Sequence, residues 1–91
     1  MAGLLQSIAR VTETPLRIGH SCAEVVALCA ALEQHELRAM RGDARAARHL
    51  AEAGIRTAVD LAEQNLSLLT SGESRRSVEV EITRLRAALT G

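Results

Sequence analysis

The sequence predicts an all-α protein: a bundle of three helical regions, the first long and kinked at Pro15, completed by oligomerisation. Three observations carry this. Apolar or small residues fall at Leu4, Ile8, Val11, Pro15, Ile18, Cys22, Val25, Cys29 and Leu32, in steps of four and three without a miss. That spacing is one face of a helix sustained over four heptads. Two later stretches repeat the same steps, around residues 46–68 and 78–89. No stretch alternates with period two between turn residues, so no sheet is expected.

The first helical region runs from Gly3 to about His35, with Leu5, Leu16, Val26 and Leu28 widening its apolar stripe. Pro15 lies on the seam itself. Proline lacks the backbone donor and crowds the carbonyl four residues earlier, so the chain kinks near Val11 or restarts at Pro15 with Thr14 as its cap. His20 and Glu24, four apart, are expected to pair along this helix. Residues 36–42 have the weakest apolar pattern and end in Gly42, which reads as a connection. Asp43 then caps a second helix reaching about Leu69, with a face of Ala46, Leu50, Ala53, Thr57, Leu61, Asn65 and Leu68. Gly54 sits beside that face, and so many small residues let another backbone come close. Thr70-Ser-Gly-Glu-Ser74 reads as a turn: Gly72 ends one helix, and Ser71 or Ser74 caps the next. Val78, Ile82, Leu85 and Leu89 mark a third, shorter helix from Ser74 to about Thr90.

With 91 residues the chain makes one domain, 1–91, and it holds no Phe, Tyr or Trp. A core of Leu, Ile, Val and Ala at this size leaves much of the surface wet. A continuous first helix also extends to about 50 Å, longer than a compact domain of this size is wide. Both points predict a homo-oligomer, a dimer in the simplest case, or a complementary chain that supplies missing core. The eleven basic residues are all Arg and balance eleven acids. A net charge near zero argues against nucleic acid as a partner. The uncharged apolar stretch Val25 to Leu32 falls far short of the ~20 residues of a membrane span. The opening residues lack the basic region and cleavage site of a signal peptide, so a cytoplasmic location is expected. Cys22 and Cys29 lie about 10 Å apart along one helix, too far for a mutual disulfide, and read as reduced core thiols.

Little of this sequence has the spacing that chemistry needs. His20, His35 and His49 stand fifteen and fourteen apart, with no closely spaced pair of metal ligands, and no metal site is expected. No glycine-rich phosphate loop is present. The strongest polar signal is Arg38, Arg41, Arg45 and Arg48, stepping by three, four and three. Guanidinium forks bind carboxylates and phosphates two-handedly. The same run also reads as a solvated face paired with Glu36, Glu52 or a neighbouring subunit. Asn65 is polar on an apolar stripe and needs partners, from a neighbouring helix or from a ligand.

Three local patterns, in this order and spacing, resemble the C-terminal half of the formiminotransferase-cyclodeaminase and methenyltetrahydrofolate cyclohydrolase family. Thr12-Glu-Thr-Pro-Leu-Arg17 is similar to that family's Thr-Glu-Val-Pro-Leu segment, and here too a long Ala/Val/Leu helix follows. Gly42-Asp43 stands where the family commonly has Ser-Asp at the head of an Ala-rich helix. Asn65-Leu66 follows at the family's distance. The resemblance covers residues 4–70; the last helix fits by pattern only. Two positions depart from it: Leu61 where the family often has a second Asn, and Thr57 where it often has Gly. The family's glycine-rich opening and its proton-transferring acid have no counterpart in this sequence, so no catalytic residue is assigned.

The resemblance implies an all-helical domain that dimerises and takes a tetrahydrofolate derivative as ligand, with no covalently bound cofactor. Family members eliminate ammonia from formiminotetrahydrofolate or hydrolyse methenyltetrahydrofolate. It marks Asp43 and Asn65 as ligand-binding positions, and gives the Arg38–Arg48 cluster, with Arg45 and Arg48 as its site residues, a folate glutamate tail to meet. The function expected is therefore a cyclodeaminase/cyclohydrolase-like folate one-carbon domain without the family's catalytic acid. The alternative is a non-catalytic helical oligomerisation or partner-binding module.

Overall fold

The structure is a computed structural model. It describes residues 2–34, 36–69 and 72–90, with side chains described for 10–34, 36–69 and 72–89. Leu4 and Ile8 of the seam and Leu5 beside it, with His35, Thr70 and Ser71, lie outside the described side chains.

Among the described residues the protein is all helix: α1 spans Ala2–Leu32, α2 Arg38–Leu66 and α3 Glu73–Thr90. The connections are short, so α1 and α2 form a long antiparallel hairpin, and α3 folds back along both. Leu16 meets Val78 beside one cleft, and Gly19 meets Leu85. Thus α3 runs in the direction of α1, and its 18 residues are too few to reach the hairpin tip. The molecule is a rod, 56 × 17 × 14 Å, with a radius of gyration of 15.7 Å. A compact chain of this length has about 12 Å.

The core sits at the three-helix end: Leu16, Ile55, Val59, Ala62, Leu69, Val78, Ile82 and Leu85. The α3 residues are those of the predicted stripe. Nearer the tip only two helices pack, and small residues do the packing there: Cys29, Ala44 and Ala51 are buried.

Several boundaries differ from the sequence expectation. Of the two readings of Pro15, the single helix is the one the chain takes, and the restart with Thr14 as cap is not: Pro15 lies inside one continuous α1. Helix α2 begins at Arg38, not at Asp43, and Leu37 in its cap position makes no side-chain cap bond. Residues 38–42 are helical because Arg, Ala and Met are good helix formers, and Gly42, with open space around it, costs only its own propensity. At the far end, α2 stops at Leu66. Arg75 donates from Nη1 to the carbonyls of Leu66 (2.8 Å), which also accepts from the Leu69 amide, and Leu69 (2.5 Å), so α3 ties down the end of α2. Gly72, at φ +93°, takes the left-handed turn conformation and accepts the first α3 bond, from the Arg76 amide. Ser74 is therefore inside α3 and not its cap.

The largest correction concerns the inner face of α2. The predicted face is the outer one: Leu50 is 77 % exposed, Leu61 44 % and Leu68 56 %, with Ala46, Ala53 and Thr57 also exposed. The buried positions are Ala44, Ala51, Ile55, Ala58, Val59 and Ala62. The close approach of α1 selects this alanine stripe. Cys22 Sγ lies where a Gly54 Cβ would be only 2.5 Å away, and a Cβ on Gly19 would be 2.9 Å from Ala58 Cβ. Leucines do not fit between backbones this close.

The first of these contacts makes a prediction. Gly54→Ala drives its methyl into Cys22 Sγ and should lower stability. Cys22→Ala removes the sulfur, so the double variant Cys22→Ala/Gly54→Ala should recover, helped by the roughly 1 kcal/mol of helix propensity that Ala gains over Gly. Urea denaturation of the four proteins gives the coupling. Strictly additive effects would show that the two residues do not touch.

Candidate functional site

The hairpin tip gathers the charged residues. Glu33, in the turn after α1, has a side chain only 15 % exposed. It accepts two hydrogen bonds from Arg48, from Nε at 2.8 Å and from Nη2 at 3.0 Å. Arg48 also donates from Nη1 to Glu52, four residues on, at 2.9 Å. Arg45 approaches Glu33 at 3.6 Å. Arg45 and Arg48 are thus brought together by Glu33, and the Arg48 fork is fully engaged. Of the partners expected for this run, Glu52 is used; Glu33 was not foreseen, because it sits across a helix turn in sequence.

The charges act on each other in the expected sense. The Arg48 hydrogen bonds hold the Glu33 carboxyl below the usual glutamate range, against partial desolvation and with the Arg48 and Arg45 charges helping. Arg48 is in turn held more firmly protonated by Glu33. Stability from a lowered carboxyl pKa is present above the ordinary value of 4.5 and is lost as pH falls through the folded-state value. Glu33→Gln should therefore flatten the acid side of the stability profile. Thermal unfolding followed from pH 7 downward checks this, and unchanged acid sensitivity would remove the ion pair from the account.

Arg38 and Arg41 make no ion pair among the described residues. With Arg45, Gly42 and Glu33 they line an open polar cleft of about 410 Å³. Asp43 points elsewhere: it is exposed on the rim of an apolar cleft of about 670 Å³ formed with Cys29, Leu32, Leu37, Met40 and Ala47. Asn65 stands near the other end of α2 and donates from Nδ2 to Thr12 Oγ1 at 3.1 Å, across to a Thr12 that is wholly buried. Of the two partners the sequence offered Asn65, a neighbouring helix is the one it uses.

Asp43 and Asn65 are separated by 22 residues of one helix, about 33 Å along its axis. A single chain cannot bring both to one small ligand. His20 does not pair with Glu24; its Nε2 lies 2.5 Å from Glu81 Oε2, tying α1 to α3. Arg86 and Glu63 tie α3 to α2 in the same way. Cys22 and Cys29 are free thiols. Among the described residues no group of three His, Cys, Asp or Glu could hold a metal ion. By length and composition alone, residues 10–32 are long and apolar enough to cross a membrane. The count of uncharged residues missed this because four scattered charges, Arg10, Glu13, Arg17 and Glu24, do not offset the apolar majority. In the structure one side of that helix packs on α2 and α3.

A family model described as formiminotransferase-cyclodeaminase matches residues 2–84. No curated protein and no solved structure matches the chain.

Proposed function

Since the chain belongs to the formiminotransferase-cyclodeaminase family, we propose that it is a folate one-carbon domain of the cyclodeaminase/cyclohydrolase type that binds its folate only as an oligomer, and that turns nothing over by itself. The observation that carries this is the separation of Asp43 from Asn65 by the length of α2, with Asn65 engaged by Thr12. A folate that uses both positions needs them from two chains. The cationic edge suited to its glutamate tail is Arg38, Arg41 and Arg45, because Glu33 and Glu52 already occupy Arg48. Within the Arg38–Arg48 run, this sets the anionic end of the ligand at the first three arginines rather than at Arg48. Of the carboxylates at the hairpin tip, Glu33 is held by Arg48 and Asp43 lies on an apolar rim, and neither supplies a free acid to the arginine edge.

The test is mass by light scattering, followed on the same sample by titration with 5-formyltetrahydrofolate and an assay for ammonia release from formiminotetrahydrofolate. An oligomer that binds folate without releasing ammonia is expected. An oligomer that binds no folate would make the protein a non-catalytic helical assembly module, and ammonia release by the chain alone would restore it as an enzyme.

A further inference from the structure

The seam that dominates the sequence splits in two when the chain folds. Its alternate members Pro15, Cys22 and Cys29 turn toward α2 and are half-buried or buried. The others, spaced by seven, face outward: Val11 is 64 % exposed, Ile18 55 %, Val25 42 % and Leu32 36 %. Leu50, Thr57 and Leu61 continue this surface on α2, and Ile18, Pro15, Thr57 and Leu61 line one apolar groove of about 340 Å³. The chain therefore carries a heptad stripe of helix-pairing type with nothing on it.

The exposed area says how much is missing. The chain presents 6242 Å², whereas a folded monomer of this mass presents roughly 5100 Å². The excess, on the order of 1000 Å², is close to the ~800 Å² that one partner contributes to a stable interface.

We infer that this α1–α2 face pairs with the same face of a second copy, antiparallel, about a two-fold axis near Cys22 and Gly54. The inference names the surface of the oligomer invoked above. Charge sets the direction. Arg17 and Glu24 are exposed, flank the stripe, and make no ion pair among the described residues. Antiparallel pairing sets Arg17 of each copy near Glu24 of the other; parallel pairing puts the two copies' Arg17 and Glu24 on opposite sides of the seam and leaves all four without a partner across it. A chain of zero net charge meets its own copy without repulsion. In this register Ile18 of one copy faces Val25 of the other, as a two-fold requires. The same axis brings Asp43 of one copy to the axial level of Asn65 in the other, since Gly54 lies midway between them on α2.

Light scattering of the full chain tests this, with circular dichroism to confirm that every variant stays helical. The wild type is expected at twice 9.7 kDa. Ile18→Glu should weaken the dimer by at least about tenfold, as loss of a central apolar contact does. The double variant Ile18→Glu/Val25→Arg should restore it, because each new acid then faces a new base. Val80→Glu, on exposed α3 surface outside the stripe, should leave the dimer intact. A wild-type dimer indifferent to Ile18→Glu would overturn this surface while leaving the oligomer itself standing. Failure of the double variant to rescue would overturn the antiparallel register. A wild type that stays at 9.7 kDa, including one that floats with phosphatidylcholine vesicles, would overturn the dimer altogether.

Discussion

Leu85→Ala should cost about 2–5 kcal/mol, the range for removing a fully buried leucine without collapse of the site. Leu85 has no exposed surface and anchors α3 between α1 and α2, with both its methyl carbons against Gly19. A chain of this length has roughly 5–14 kcal/mol of total stability, so the variant loses a large share of it. At about 4–8 °C per kcal/mol, the midpoint of thermal unfolding should fall by at least roughly 10 °C. The measurement is urea and thermal unfolding by circular dichroism at one fixed chain concentration, so that any association contributes equally to both proteins. A loss below about 1 kcal/mol would mean that α3 does not pack as described.

The second large effect is expected at Gly19, in the middle of α1. A Cβ there would stand 2.9 Å from Ala58 Cβ and 2.9 Å from one Leu85 methyl carbon. The Leu85 end can move; Ala58 Cβ is fixed to the α2 backbone, so the two helices must separate. Overpacking of this kind costs about 1–3 kcal/mol, and for Gly19→Ala the helix-propensity gain offsets up to about 1 of that. Gly19→Val adds two more carbons and a stiff χ1, and should lie at the top of the range or beyond it. The two sites are coupled. Gly19→Ala in a Leu85→Ala background relieves one of its two clashes and should cost less than in the wild type. Equal costs in both backgrounds would place Leu85 away from Gly19.

These two sites also show why part of the fold was legible in the sequence and part was not. Leu85 stands out on its stripe with Val78 and Ile82, because α3 has one apolar face and one way to bury it. Gly19 gives no such signal. A glycine inside a helix pattern reads as a weak helix former until a second helix is seen lying against it. The misplaced face of α2 follows from the same blindness: Leu50, Leu61 and Leu68 outweigh Ala44, Ala51 and Ala58 on any scale of apolarity, yet the alanines are inside. Burial there is decided by interhelix distance, which Gly19, Cys22 and Gly54 set jointly from two helices.

The candidate site divides in the same manner. The arginine run and Asn65 were conspicuous as polar groups with helical spacing. Their partners Glu33 and Thr12 were not, since the contacts span 15 and 53 residues. Arg75, which closes the end of α2, was equally hidden, because its acceptors are backbone carbonyls.

By itself, then, the sequence determined that the chain is all helix, where α3 lies, where Gly72 turns, and that a heptad stripe runs the length of α1. Those properties depend on residues close in the chain, whose spacing alone decides them. Only the tertiary structure decided which half of that stripe is inside and which is left exposed. Two apolar faces on one helix are equivalent until a neighbour arrives, and the neighbour settles on the side with the smallest side chains.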